Sequence, residues 1–237
     1  MPERPDLEYV VPILAKELRG AEIASVRADK PVVLRVLLPA KIEELLVGRT
    51  ILGAERRAHF VRFPLSGEPP LEMIVSPMLA GRFTIGPAAA KAPRDTAMTW
   101  TFTDGRELRY RDDVQMGKVY VLPEASVGTI PGWTPAGVDV LDAKRFTPAA
   151  FRALAKKRRD QLKPFLMDKA ALDSMGNAYA DEVLFEARLH PKAMVRSLAP
   201  EELDRLHAAI VTVLRAARDE IRRRRPPLDE KVRDLER

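Results

Sequence analysis

The hydrophobic period of this chain changes once, near residue 131, and that change constrains the fold more than any other feature. Before it, residues 32–36, 60–65, 71–75, 98–102, 107–111 and 118–122 form short runs rich in β-formers, punctuated by Gly, Pro and Asp. After it, 151–154, 162–172, 178–187 and 200–222 carry the 3.6-residue period of amphipathic helices. Between the two lies PGWTPAGVDVLD, a Pro/Gly-rich connector. The pattern predicts an α+β chain: an N-terminal antiparallel β-sandwich with flanking helices over 1–130, a connector over 131–145, and an all-helical domain over 146–237. No internal repeat is visible.

Local signals refine this. Leu7, Val10, Val11, Leu14 and Leu18 form one helical stripe, which Pro12 is expected to kink or interrupt. Asp104-Gly105 sits between MTWTFT and RELRYR and predicts a type I′ hairpin. In the last helix Leu203, Leu206, Ile210, Val211 and Leu214 make the buried stripe, with Glu201 and Glu202 in the first turn.

Composition excludes several classes. The chain has no cysteine, so it has no disulfide framework, cysteine nucleophile or cysteine-ligated zinc. Its three histidines, His59, His190 and His207, are far apart in sequence, so no cofactor or metal is expected. No apolar run approaches the ~18 residues that would cross a bilayer, and MPERPDLEYV is not a secretory signal, so a cytoplasmic, metal-free soluble chain with no membrane partner is expected. The net charge of +6 divides into +1 before residue 150 and +5 after it. Lys156, Lys157, Arg158, Arg159 and Arg222, Arg223, Arg224, Arg225 supply the excess. Such clusters suit a nucleic-acid surface or equally a solvated helix face, because acidic residues are interspersed.

Three stretches carry a family resemblance. LKPFLMDKAALDSMGNAYADEVLFEARLHP, at 162–191, resembles the helix-two-turn-helix element of the formamidopyrimidine-DNA glycosylase/endonuclease VIII family. MPERPDLE is similar to that family's start, with Asp6 where Glu is usual, and LRYRD at 108–112 is similar to the strand before its void-filling loop. The resemblance covers nearly the whole chain, in order. It implies a C-terminal helix-two-turn-helix domain, damaged DNA as partner, duplex or single-stranded, and a bifunctional glycosylase and abasic-site lyase acting as a monomer.

The resemblance implies that Pro2, freed by methionine removal, is the nucleophile. Its secondary amine has an unperturbed pKa of roughly 8, so it is appreciably neutral at working pH and able to form an iminium at the sugar C1′. Glu3 is implied as the acid/base. Read from the residues alone, Pro2 and Glu3 equally suit the start of a helix. The resemblance also implies that Asn177, at a Gly-Asn turn, binds a phosphate with help from Lys163. Tyr179, Val183, Leu184 and Phe185 read as core of the following helix. Arg109 is a DNA contact or plain strand surface.

The sequence departs from the family in three places. His59 stands where a phosphate-binding Lys is usual; it is either a weaker DNA anchor, with Arg56, Arg57 or Arg62 compensating, or an ordinary packed imidazole. The void-filling loops carry Leu79 at the usual Met position, Val114 or Gln115 at the Arg that pairs with the orphaned base, and Met116 at the aromatic wedge. An apolar wedge still unstacks bases, but an Arg-read preference for the opposite base is lost. Finally, the family's terminal zinc finger or its zincless mimic has no counterpart; Arg222 onward reads as a lead-in, and the sequence stops at Arg237. The segment that closes over an oxidised purine is also unrecognisable. Flexible or single-stranded sites are therefore expected to suit the chain best. Two other readings stay open: a noncatalytic DNA-binding relative, and a glycosylase adapted to bulky or crosslinked lesions.

Overall fold

The computed structural model describes residues 3–134, 137–173 and 175–228. They divide into two compact units: Asp6–Trp133 with residues 225–228, and Thr134–Arg224 with Glu3–Pro5.

The first unit opens with helix α1 (Arg4–Leu18), whose first two residues group with the other unit. The helix runs unbroken through Pro12, against the expected interruption. Pro12 is exposed, while Leu7, Val10, Val11, Leu14 and Leu18 are buried. Burying such side chains contributes roughly 1.5–3 kcal/mol each, enough to offset the ~3 kcal/mol an internal proline costs.

Then follow β1 (Ile23–Ala28), β2 (Leu34–Val36), α2 (Ile42–Leu46), β3 (Glu55–Arg57), β4 (Phe60–Leu65), β5 (Leu71–Ser76), β6 (Arg82–Pro87), β7 (Thr96–Phe102), β8 (Arg106–Arg111) and β9 (Lys118–Pro123). They form two sheets, ordered β1-β7-β8-β6 and β2-β9-β5-β4-β3. Phe63 of one meets Phe83 of the other edge-on, with ring centroids 6.2 Å apart, and Trp100, Tyr110, Met73 and Val121 are fully buried among the core.

The pairing is not wholly antiparallel: β2 lies parallel to β9 at a sheet edge, Leu34 opposite Val119 and Val36 opposite Val121. The expected strand 32–36 is shortened because Pro31–Val33 form a 3-10 turn. The β7–β8 hairpin is also not type I′. Only Gly105 takes a positive φ, 82°, and Asp104 instead accepts the Arg106 N–H at 3.0 Å. Three residues separate the strands, which suits a loop with one left-handed glycine.

The second unit contains β10 (Val138–Asp139), α3 (Pro148–Lys156), α4 (Leu162–Met167), β11 (Leu172–Asp173), α5 (Asn177–Ala187) and α6 (Pro200–Arg224). Phe146, Phe151, Phe165, Leu166, Val183, Leu206 and Ile210 belong to its core. The helix expected over 162–172 ends at Met167. Asp168 draws the Ala170 N–H onto its own side chain at 2.9 Å, competing with the helix, and residues 172–173 pair in parallel with β10. Gly137 allows that pairing, since a Cβ there would lie 2.5 Å from the Lys169 carbonyl oxygen.

In the sandwich, Arg82 and Arg111 stand directly opposite each other in β6 and β8, a like-charge pairing that destabilises unless it is met. Asp95 meets it, accepting from Arg82 at 2.5 Å and from Arg111 at 2.9 and 3.1 Å. Burial alone raises the Asp95 carboxyl, but Arg111 and Arg82 outweigh it and hold it below its ordinary 3.8. A depressed folded pKa means that the stabilisation is complete above 3.8 and is lost as pH falls through the folded value. Asp95→Asn is therefore expected to cost about 1.5–3 kcal/mol at neutral pH. Urea unfolding from neutral to acid pH should show the difference between variant and wild type closing as the solution is acidified.

Candidate functional site

Glu3 is 1% exposed, and it belongs to the helical unit. Its Oε2 accepts the Gly176 N–H at 2.7 Å and its Oε1 the Ala178 N–H at 3.2 Å. A carboxylate thus lies against the first turn of α5, where backbone donors point outward and the helix dipole favours negative charge. Gly176 is required for this approach: a Cβ there would lie 2.7 Å from Glu3 Cδ. Beside it, Arg4 pairs with Asp139 of β10 at 2.9 Å, tying the residue after Glu3 to the helical unit.

Asn177 is the first residue of α5 and is exposed, one position from the glycine that Glu3 holds. The structure thus brings Glu3 and Asn177 to one helix end. Lys163, in the first turn of α4, forms an ion pair with Asp181 of α5 at 2.7 Å and stays part-exposed. Tyr179, Val183 and Leu184 are core, as expected, but Phe185 is 82% exposed. It lies beyond the apolar stripe, which a run of three apolar residues in sequence cannot show. Pro2 lies outside the described residues, as does 229–237.

The remaining candidates lie in the sandwich unit. His59 is buried, its ring 4.0 Å from that of Phe60, which favours the packing reading over a phosphate contact. The arginines that could replace it already hold protein partners. Arg56 donates to the Ala58 carbonyl, Arg57 lies over the Trp133 ring and donates to its carbonyl, and Arg62 holds Glu72 and Glu55. Arg109 is not plain surface. It is 7% exposed, pairs with Glu107 at 2.7 Å, and donates to the Ala90 carbonyl at 2.5 Å. The strand alternation misleads here because both faces of β8 are covered.

Leu79, Gln115 and Met116 are all exposed, on the β5–β6 loop (77–81) and the β8–β9 loop (112–117). Beneath them Asp112, 1% exposed, accepts from the Val114, Gln115 and Gly117 N–H groups at 3.2, 3.0 and 2.7 Å. Those contacts were not legible in sequence; the only signal was an Asp followed at five residues by Gly. Of the basic clusters, Arg158 is engaged by Asp160 and Asp168, and Arg223 by Glu220, so part of the charge is met internally.

Residues 1–119 match the family model of the formamidopyrimidine-DNA glycosylase N-terminal domain, and residues 137–223 that of the formamidopyrimidine-DNA glycosylase H2TH domain. The chain belongs to the formamidopyrimidine-DNA glycosylase family. It is 36% identical to the formamidopyrimidine-DNA glycosylase of Brevibacillus brevis over 221 residues, covering 92% of this chain and 78% of that one. With the Moorella thermoacetica protein of the same name it shares 35% over 214 residues, covering 90% and 77%. Among solved structures, Lactococcus lactis Fpg in complex with abasic-site DNA aligns with a TM-score of 0.81 at 25% identity, covering 92% of this chain and 78% of that one. A mutant of that protein bound to Fapy-dG DNA aligns at 0.82, covering 92% and 79%. Among the described residues, no helix is long and apolar enough to cross a membrane.

Removing the Glu3 carboxylate leaves the buried Gly176 N–H without its acceptor, at about 1–3 kcal/mol. Glu3→Ala and Gly176→Ala are both expected to speed hydrogen exchange at the Gly176 and Ala178 amides while leaving α6 protected. Exchange by NMR or mass spectrometry reads this directly.

Proposed function

We propose that this member of the formamidopyrimidine-DNA glycosylase family is a bifunctional enzyme that removes damaged bases from DNA and then nicks the abasic strand. DNA glycosylase action in base repair is the family's activity, and the lyase step goes beyond it. The observation that carries it is the Glu3 carboxylate, buried and held by two backbone N–H groups at the start of α5. A carboxylate so placed one residue after Pro2 suits proton transfer at the sugar that Pro2 attacks.

The steps balance as follows. The Pro2 nitrogen lone pair attacks the sugar C1′, and the glycosidic bond breaks with its electrons leaving on the base. The Pro2 nitrogen gives up its own proton to the Glu3 carboxylate, which passes it to the ring oxygen as the sugar opens; the nitrogen and C1′ become an iminium cation, and the departing base takes a proton from water. That cation acidifies the C2′ proton; its removal expels the 3′ phosphate, and water then hydrolyses the iminium to free Pro2. Asn177 and Lys163 serve this chemistry by holding a phosphate beside the extruded nucleotide, Lys163 by exchanging Asp181 for the DNA anion. Leu79, Gln115 and Met116 occupy the gap left in the stack. The partner is damaged DNA, duplex or single-stranded.

The decisive test is borohydride trapping on an oligonucleotide with one abasic site. Wild type is expected to give a covalent band that Pro2→Gly weakens sharply. Glu3→Gln should bind the same DNA while slowing base release by about a hundredfold or more, the scale of a lost general acid. No band from wild type with its initiator methionine removed points instead to a noncatalytic DNA-binding relative.

A further inference from the structure

The loops at 77–81 and 112–117 are neighbours by construction of the sandwich. One runs from β5 to β6, the other from β8 to β9. At one end Ser76 of β5 pairs with Lys118 of β9, and at the other Arg82 of β6 pairs with Arg111 of β8. The two loops therefore cross from sheet to sheet side by side.

The Tyr110 hydroxyl fills the space between them. A Cβ on Gly81 would lie 2.3 Å from that oxygen, and one on Gly117 would lie 1.8 Å from it, so each loop rests its backbone on the same atom. The hydroxyl's one proton is within reach of the Pro77 carbonyl, at 3.3 Å, and of Asp112 Oδ2, at 3.4 Å. Oδ2 also takes the Gly117 N–H, while Oδ1 takes those of Val114 and Gln115. Burial pushes the Tyr110 phenol far up, so it remains a donor at any working pH.

Above this buried polar post stand three apolar side chains that folding leaves in water: Leu79, Val114 and Met116, at 56%, 49% and 42% exposed. Such side chains, presented on loops whose shape is over-determined from below, suit insertion between bases better than they suit solvent.

We infer that Tyr110 and Asp112 are positioning residues that hold the two loops as one pre-formed apolar wedge for the base stack. The inference rests on the DNA glycosylase reading above and adds to it the atoms that keep the wedge in shape. Neither residue touches DNA. The hydroxyl sets the spacing between the loops, and the carboxylate sets the turn that carries Val114 and Met116.

Tyr110→Phe removes only the hydroxyl. The probes are an abasic duplex with 2-aminopurine stacked beside the site, and the same abasic strand single-stranded, where no stack has to be opened. The variant is expected to lose most of the 2-aminopurine fluorescence rise on binding and to cut the duplex about ten- to a hundredfold more slowly, the cost of misplacing a positioned group. Its rate on the single strand should match wild type. Gly81→Ala, whose Cβ would press on both the Tyr110 hydroxyl and the Pro77 carbonyl and so force the first loop off its support, should give the same split. Equal losses on both substrates, or none on either, overturn the inference. If wild type binds the abasic duplex without cutting it, the lyase reading fails, yet the fluorescence rise and its loss in Tyr110→Phe still decide the wedge.

Discussion

A buried carboxylate must be met by donors, and in this chain the meeting of Glu3 with the Gly176 and Ala178 N–H groups is the constraint on which the arrangement at the start of α5 depends. It draws residues 3–5 into that unit although they begin a helix whose remainder belongs to the sandwich. It demands glycine at 176, where any side chain would collide with the carboxylate. It also places Asn177 one residue along, exposed at the helix start. The Arg4–Asp139 pair holds the adjacent residue by a second element, so the position of Glu3 rests on both α5 and β10.

The sandwich solves a different problem with similar means. The loop at 77–81 runs into Arg82 and the loop at 112–117 leaves from Arg111, and Asp95 neutralises this facing pair. Tyr110 and Asp112 then satisfy the loop backbones from beneath. Buried polar groups there support exposed apolar ones, the reverse of the usual division.

Much of the architecture is legible in the sequence. Strands at 60–65, 71–75, 98–102, 107–111 and 118–122 and the helices at 178–187 and 200–222 coincide closely with observed elements, because each carries a complete period of buried residues. Strands β1, β3 and β6 were not legible: SVR, ERR and the Gly86-Pro87 end of β6 offer no alternation; pairing to strands further along the chain creates β1 and β6, and a tight hairpin to β4 creates β3. The parallel β2–β9 edge is likewise a non-local choice. Among site residues, the terminal MPE and the Gly-Asn turn were readable as motifs. The burial of His59 and Arg109 was not, since a strand pattern does not say whether its second face is covered.

The sequence by itself determined the two-part α+β layout, the family, and the residue types available for chemistry: no cysteine, one Pro-Glu start, an apolar rather than arginine-bearing loop tip. These are properties of composition, local period and motif order, which need no partner to be expressed. Only the tertiary structure decided which polar groups meet. That Glu3 caps a helix more than 170 residues away, that one tyrosine hydroxyl carries two loops, and that Arg109 turns inward are outcomes of long-range packing. A buried donor or acceptor takes whichever partner the fold brings within 3 Å, and no local pattern encodes that distance.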